Sequence, residues 1–273
     1  MDLKFSVLMA FYKGDDPGLL RDALQSITDN SLRPDEVFLV QDGPVSKELS
    51  AVVSEFNTHL PIKLHIKAEN LGLREALNYG LQHIENEIIV RADADDINLP
   101  SRFEKLIEAI TDGYDLVGSH ILEKDRDQRP IALRKVPLGH AEIVLLMRNR
   151  NPFNHMTVAF RREAAIRSGG YPNLHLREDY GLWAKMAMEG SKMKNIDEVL
   201  VHATTGLDMY RRRGGLRYAL AEISMQRFLF DLGVQSLARA LMTGGARALV
   251  FILPSSIRGR VYELLLRSGI TKT

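Results

Sequence analysis

The chain has 273 residues, of which 45% are hydrophobic and 26% charged, and its formal net charge is +1. These values are ordinary for a globular protein and exclude a disordered or fibrous chain, while the length allows one large domain or one domain with an extension. The absence of cysteine excludes disulfides and thiolate metal sites, and residues 1–4 lead directly into a strand-like run, so we expect no signal peptide.

Strands and helices are predicted to alternate through the first 120 residues. The predicted strands lie at residues 5–10, 37–40, 62–66, 87–90 and 116–118, and the predicted helices at residues 17–27, 49–56, 73–84 and 103–110. Asp16 followed by Pro17 is typical of a helix N-cap and first helical position. This alternation predicts an α/β fold with a mainly parallel, Rossmann-like sheet and helices on both faces.

The second half of the chain is less regular. A Pro- and Asn-rich segment at 149–155 precedes a Gly169-Gly170 turn and a helix from about 179 to 189. Helices follow from about Tyr218, with breaks expected at Gly244-Gly245 and Pro254. We therefore expect a main domain over residues 1–215 and a helical C-terminal extension over residues 216–273.

Positive charge is concentrated in the C-terminal part. Residues 205–273 carry 11 Lys and Arg against 4 Asp and Glu, whereas the remaining residues carry 25 against 31. This asymmetry indicates an anionic membrane surface as a partner, and no nucleic acid is expected. Apolar and basic residues alternate through 257–267, which suits an interfacial helix, although a core or dimer helix and solvated helix faces fit the same pattern.

Polar side chains follow the ends of successive predicted strands, at Phe11-Tyr12, Asp42, Asn70 and residues 91–96. Because the carboxyl ends of parallel strands meet at one edge, we expect these side chains to line one crevice. Asp42-Gly43 taken alone fits a simple turn equally well. The run Arg-Ala-Asp-Ala-Asp-Asp at 91–96 is more informative, since crowded carboxylates need neutralisation. A hard divalent cation, Mn²⁺ or Mg²⁺, that bridges a nucleotide diphosphate would provide it.

Two helix starts carry further charged residues. Arg74 lies in the first turn of its helix, where the dipole disfavours a cation, so either a nearby phosphate or a solvated surface position explains it. Glu178-Asp179 begins another helix, where an acidic pair can cap the helix or supply a general base. No Walker-type glycine loop with lysine is present, so ATP or GTP hydrolysis is not expected.

Together these segments resemble the bacterial family 2 glycosyltransferases. The matching segments are residues 6–12, 41–43, 70–80, 91–96, 100–103, 169–171 and 178–183. The resemblance covers about residues 3–215 and implies a GT-A fold and a nucleotide-sugar donor, with uridine as the expected base.

The resemblance assigns donor-binding roles. Positions expected to bind the nucleotide sugar are Ala10, Phe11, Tyr12, Asp42, Asn70, Gly72, Arg74, Asn78, Arg91, Asp93, Ala94 and Arg212. Among them, Phe11, Tyr12 and Asp42 would hold the base and ribose, and Asp93 would contact the ribose. Arg212 lies in a run of three arginines that would either clamp the leaving diphosphate or face a membrane.

The same resemblance assigns the metal and the base. Asp95, with Asp93, would ligate the divalent cation, and Asp179, beside Glu178, would be the base of an inverting transfer. A third metal ligand is not assigned, since Thr204-Thr205 stands where many relatives have a histidine. His155 falls in the segment that lies near the acceptor in similar enzymes, although a lone histidine is more often structural.

We therefore expect an inverting glycosyltransferase that extends a lipid-linked saccharide in bacterial surface polysaccharide synthesis. It would be cytoplasmic and peripheral at the inner face of the cell membrane. A nucleotidyltransferase is one alternative, but it should show a glycine-rich basic loop after the first strand, where residues 10–15 contain one glycine. A non-catalytic nucleotide- or carbohydrate-binding module is the other, and it would need no base at Asp179.

Overall fold

The structure, a computed structural model, describes residues 4–205, 214–253 and 270–271. Strands β1 to β10 are Phe5–Phe11, Glu36–Gln41, Ile62–Ile66, Ile88–Arg91, Ile97–Asn98, Leu116–Lys124, Pro130–Arg134, Ala159–Arg161, Met193–Thr204 and Ile270–Thr271. Helices α1 to α9 are Pro17–Thr28, Lys47–Phe56, Leu73–His83, Arg102–Thr111, His140–Met147, Arg162–Arg167, Glu178–Met188, Leu216–Asp231 and Leu237–Ile252.

The strands form one mixed sheet. In its first half, β1 pairs in parallel with β2 and β4, and β2 pairs in parallel with β3. The second half is mostly antiparallel: β8 joins β4 to β6, and β7 and β10 follow at the edge. The predicted α/β class is confirmed, and the parallel half places the carboxyl ends of β1, β2 and β4 along one edge.

Helices cover both faces of the parallel half. Leu20 and Leu24 of α1 are buried on one face, and Leu77 and Leu81 of α3 are buried on the other, where they belong to the same core cluster as Leu8 of β1. The start of α1 is as predicted, since the Asp16 carboxylate accepts the Gly18 N–H at 2.9 Å and Pro17 is the first helical residue. Burial of apolar residues on both faces explains the near-continuous hydrophobic runs of β1, β2 and β4.

The structure differs from the sequence-based prediction in three elements. The fifth predicted strand, at 116–118, is the start of a nine-residue strand, β6, that pairs with β7, β8 and β9. The predicted break at Gly244-Gly245 is wrong, because α9 runs through it. A Cβ on Gly244 would lie 3.2 Å from Cγ of Gln226, so this glycine allows α8 and α9 to pack closely. The extension is not helical throughout, because β10 pairs with β7.

Candidate active site

A cavity of about 320 Å³ lies at the carboxyl edge of the parallel strands. Its lining residues come from the ends of β1, β2 and β4, from the start of α3 and from the loops between them. They are Ala10, Phe11, Tyr12, Asp15, Asp42, Asn70, Gly72, Leu73, Asp93, Ala94 and Asp95. The structure therefore brings together nine of the positions expected to bind the donor or the metal. The cavity has the size and place that ligand sites have in folds of this class.

Asp42 organises the wall formed by the start of α3. Its two carboxylate oxygens accept the backbone N–H groups of Leu71, at 3.0 Å, and Gly72, at 2.7 Å, and the Lys67 ammonium lies 3.7 Å away. The turn interpretation also holds, because Gly43 has φ +88° and a Cβ there would lie 2.7 Å from Asn70 N. Asp42 is buried and fixes the loop, and it lines the cavity at the same time.

The loop after β1 adds an aromatic ring and an acid. The Asp15 carboxylate accepts the Tyr12 backbone N–H at 2.8 Å, which fixes the loop, and the Tyr12 side chain stays largely exposed. Burial raises the pKa of Asp15, and the charge of Asp93 raises it further. Tyr12 thus presents an aromatic ring on which a base can stack, while Asp15 adds a further acidic group to the cavity lining.

Three carboxylates converge after β4. Oxygens of Asp93, Asp95 and Asp96 lie within 4.8 Å of one another. Asp95 lies at the mouth of the cavity. Desolvation of its carboxyl group by the surrounding protein, together with the charges of Asp93 and Asp15, raises its pKa to about 7. The pKa of buried Asp96 is raised well above its usual value, first by burial and then by Asp93 and Asp95. Burial and mutual repulsion together make the charged forms of these carboxylates costly unless a cation lies among them.

Two buried arginines lie beneath this cluster. Arg91 pairs with the Asp93 carboxylate and donates to the Ala92 carbonyl. Arg102, at the start of α4, donates to the carbonyls of Arg91, at 2.6 Å, and Met156, at 2.8 Å, and burial lowers its pKa to about 9. These two cations only partly offset the nearby acids Asp15, Asp93, Asp95 and Asp96, so the site remains attractive to a further cation.

The residues fit a divalent metal. Asp96 lies inside the acidic cluster with one oxygen, Oδ1, accepting the Thr204 N–H at 2.8 Å. Its other oxygen, Oδ2, is buried without a hydrogen-bond partner among the described residues. Carboxylate oxygens are the ligands that Mn²⁺ and Mg²⁺ prefer, and a buried unpartnered one is costly unless a ligand completes it. Asp96 therefore joins Asp93 and Asp95 as a candidate ligand.

The second acidic group lies at the start of α7, outside the residues that line the cavity. Asn151 Nδ2 donates to Asp179 Oδ2 at 2.7 Å, so the carboxylate is oriented by the Pro- and Asn-rich segment. Burial raises the pKa of Glu178, and the charge of Asp179 adds to this shift. The cap interpretation does not account for Asp179, because the N-cap residue is Arg177 and no side chain there makes a capping hydrogen bond.

His155 belongs to a buried aromatic cluster with Tyr171 and Trp183. Its Nε2 lies 3.3 Å from the Tyr171 hydroxyl, and its ring packs 6.0 Å, centroid to centroid, from buried Trp183. Burial lowers its pKa to about 4, while the charges of Asp179 and Asp93 both act in the opposite direction. The imidazole is therefore neutral at neutral pH.

Several positions predicted to bind the donor lie away from the cavity lining. Arg74 pairs with its neighbour Glu75 on a partly exposed surface. The Asn78 side-chain amide exchanges two 2.9 Å hydrogen bonds with the backbone of Tyr171, so it ties α3 to the Gly169-Gly170 turn. Arg91 is buried behind the residues that line the cavity. Arg212 falls outside the described residues.

Three residues of the site were not predicted from the sequence. Asp15 stands immediately before the N-cap of α1, and its place in a strand-end loop was the available signal. Asn151 belongs to the Pro- and Asn-rich segment, but nothing in its spacing points to Asp179, 28 residues later. Arg102 lies in a segment that matched the family, yet its burial beneath the acids appears only in the fold.

Comparisons with known proteins identify the family of this chain. The model of the glycosyl transferase family 2 matches residues 6–170. A glycosyltransferase of Haemophilus influenzae, described as uncharacterized, is 40% identical over 97% of this chain and 100% of its own. The UDP-Gal:alpha-D-GlcNAc-diphosphoundecaprenol beta-1,3-galactosyltransferase of Escherichia coli is 38% identical over 97% of both chains. The amylovoran biosynthesis glycosyltransferase AmsE of Erwinia amylovora is 34% identical over 95% of this chain and 98% of its own.

Solved structures share the fold. Residues 1–349 of TarS of S. aureus, in complex with UDP-GlcNAc, superpose with a TM-score of 0.68 at 17% identity, over 97% of this chain and 77% of that one. This chain spans 46% of the longer TarS chain. The mannosyltransferase PcManGT from Pyrobaculum calidifontis, in complex with GDP-Man and Mn²⁺, gives a TM-score of 0.65 at 20% identity, over 97% of this chain and 81% of that one. With a family model over more than half of its length and relatives above 30% identity along nearly all of it, the chain belongs to glycosyl transferase family 2 and is a glycosyltransferase with the GT-A fold.

Proposed function

We propose that this glycosyltransferase moves a sugar from a uridine diphosphate sugar to a hydroxyl of a lipid-linked saccharide, with inversion at the anomeric carbon, during synthesis of a bacterial surface polysaccharide. The names of the Escherichia coli and Erwinia amylovora relatives support the donor, the lipid-linked acceptor and the pathway class. The observation that carries the proposal is the cluster of Asp93, Asp95 and Asp96 at the cavity, in which the buried Asp96 Oδ2 has no hydrogen-bond partner among the described residues.

The cavity supplies the donor site in this proposal. Tyr12 stacks on the base, and Asp42 holds the loop of Asn70 to Gly72 against the nucleotide. The N-terminus of α3 also lines the cavity through Gly72 and Leu73, and the backbone N–H groups of a helix start favour a phosphate. Gly72 has φ +91°, so its conformation requires glycine.

Asp95 and Asp93, with Asp96 as the third ligand, would hold the divalent metal. When bound, the metal neutralises the charge that develops on the leaving diphosphate. Arg91 and Arg102 act from below: they fix the orientation of Asp93 and of the strand-end backbone without entering the cavity. The protein thereby keeps the acids crowded and ready for a cation.

Asp179 would remove the proton from the acceptor hydroxyl as that oxygen attacks the anomeric carbon. Asn151 holds Oδ2 of the carboxylate, and Oδ1 would take the proton. Attack from the side of Asp179, opposite the leaving diphosphate, gives inversion in a single displacement.

Release of free nucleoside diphosphate tests this function. The purified protein, supplied with Mn²⁺, a lipid-linked saccharide and a panel of nucleotide sugars, should release UDP from a UDP-sugar, and a chelator should stop the release. Release of pyrophosphate from a nucleoside triphosphate and a sugar phosphate would instead identify a nucleotidyltransferase. Donor binding without any release, across a broad acceptor panel, would favour a non-catalytic binding module.

We further propose that α8 and α9 rest on an anionic membrane. Among the described residues, no helix combines the length and apolar character needed to cross a bilayer. Each of the two helices nevertheless presents a face of exposed large apolar side chains. They are Leu216, Leu220, Ile223 and Phe230 on α8, and Leu237, Leu241, Met242, Leu249 and Ile252 on α9. Such faces, together with the basic C-terminal part, suit peripheral binding close to a lipid-linked acceptor.

Vesicle binding tests the membrane proposal. Replacing Leu241 and Leu249 together with glutamine should weaken binding to phosphatidylglycerol vesicles by roughly tenfold or more, since each inserted leucine contributes about 1–2 kcal/mol. Leu145, on α5, is similarly exposed, so Leu145→Gln is the matched control and should leave binding unchanged. High salt should weaken binding of the unaltered protein. Failure of the unaltered protein to bind these vesicles at low salt would contradict the proposal.

A further inference from the structure

A buried carboxylate links the C-terminal helices to the segment that carries Asp179. Glu222 of α8 is 1% exposed and lies between two arginines. Arg177 donates from its guanidinium to Glu222 Oε2 at 3.2 Å. On the other side, Arg247 of α9 forms an ion pair with Nε 3.2 Å from Oε1, and Gln226 also donates to Oε1, at 2.9 Å.

Arg177 stands at a strained entrance to α7. It is the N-cap residue of the helix and lies two positions before Asp179. The residue before it, Leu176, has φ +61°, in the left-handed region that a leucine rarely adopts. Strain of this kind persists only where surrounding contacts enforce it, and the pairing of Arg177 with Glu222 is such a contact.

The other side of Asp179 is tied to the same helices. Arg247 donates to the Asn149 carbonyl, and Arg239 donates to Asn149 Oδ1 at 3.2 Å. Two residues further, Asn151 makes the 2.7 Å hydrogen bond to the Asp179 carboxylate. Both the backbone that precedes Asp179 and the side chain that orients it are therefore held from α8 and α9.

We infer that Glu222 is a positioning residue for the reaction: through Arg177 and Arg247 it holds Asp179 in its catalytic orientation. The inference rests on the role of Asp179 in the proposed function. A buried ion triad is a weak source of stability, because desolvation of its charges offsets their attraction. A requirement for fixed geometry at the strained turn explains the triad better than a requirement for stability.

Two substitutions test the link from opposite ends. Arg177→Gln cuts the contact with α7 but leaves Glu222 paired with Arg247 and Gln226, so folding should be little affected. Glu222→Gln keeps the size of the side chain and removes the charge that both arginines share. Asp231→Asn is the matched control, since it breaks an exposed ion pair, with Arg227, on the same helix.

Both variants should lower kcat by tenfold or more, and KM for the nucleotide sugar should stay within about twofold, because the donor cavity does not include these residues. Hydrogen exchange of the backbone amides at 176–182 should be faster in both, at unchanged exchange in β1 and β4. Asp231→Asn should match the unaltered protein in every measurement. The exchange measurement needs no activity, so it stands even if the transfer reaction itself is not found.

Three results would overturn the inference. One is an Arg177→Gln variant with unchanged kcat and unchanged exchange at 176–182. Another is loss of kcat in Arg177→Gln but not in a folded Glu222→Gln, which would mean that Arg177 acts on the substrate directly. The third is an equal rise of hydrogen exchange throughout the chain in Arg177→Gln, which would mean that the triad stabilises the whole fold and does not position Asp179.

Discussion

Replacing Asp95 with alanine should reduce turnover by at least about 10³-fold, because charge stabilisation by a bound metal contributes several kcal/mol. The reason lies in the cluster at the end of β4, where oxygens of Asp93, Asp95 and Asp96 lie within 4.8 Å of one another. Without Asp95 the cluster loses its exposed carboxylate, and of the two that remain Asp93 is paired with Arg91 and Asp96 is buried, so they hold a cation poorly. Initial rates of UDP release over a Mn²⁺ titration measure the loss.

The same variant should fold normally. Removing one of several crowded carboxylates relieves repulsion, so the melting temperature in chelator should equal or exceed that of the unaltered protein. Asp112→Ala removes an exposed acid at the end of α4 and is the matched control, with full turnover expected. Full turnover of Asp95→Ala in chelator would contradict a metal role for this residue.

Replacing Asp179 with asparagine should lower turnover by roughly 10²–10⁴-fold, the usual contribution of a general base. The substitution is nearly isosteric, and its amide oxygen still accepts the hydrogen bond that Asn151 donates at 2.7 Å to Asp179 Oδ2 in the unaltered protein. Orientation at the start of α7 should therefore be kept while the basic group is lost. Single-turnover rates of sugar transfer at saturating donor measure this effect.

Glu178→Gln is the internal comparison for Asp179→Asn. Glu178 directly precedes Asp179 on α7 and is also a partly buried carboxylate. Asn151, however, donates its hydrogen bond to Asp179 and not to Glu178. Substitution of Glu178 should cost much less turnover than Asp179→Asn. A larger loss from Glu178→Gln would exchange the roles of the two residues.

The first half of the fold is predictable from the sequence for a clear physical reason. Three of its strands, β1, β2 and β4, are buried on both faces, so each is a short apolar run, and its helices carry apolar residues at helical spacing. The order of the second half depends on antiparallel pairings such as β4 with β8, between residues about 70 apart. No local pattern encodes those pairings. The continuity of α9 through Gly244-Gly245 likewise depends on contact with Gln226 of α8.

The site divides in the same way. Strand-end positions such as Tyr12, Asp42 and Asp95 were predictable, because the topology of parallel strands brings them to one edge. The contacts around the acids were not, because Arg102 bonded to Met156 and Asn151 bonded to Asp179 join segments that are distant in the sequence. Asn78 shows the converse: it belongs to a segment that resembles the family, yet its amide is committed to the backbone of Tyr171.

The binding of UDP, measured alone, distinguishes the proposed metal ligand Asp95 from the proposed base Asp179. Calorimetric titration of UDP in Mn²⁺ against the unaltered protein, Asp95→Ala and Asp179→Asn separates metal-dependent donor binding from acceptor activation. We predict that Asp179→Asn binds UDP like the unaltered protein, whereas Asp95→Ala binds it no better than the unaltered protein does in chelator. Equal loss of UDP affinity in both variants, or full affinity in Asp95→Ala, would contradict the assignment of metal and base to these two residues.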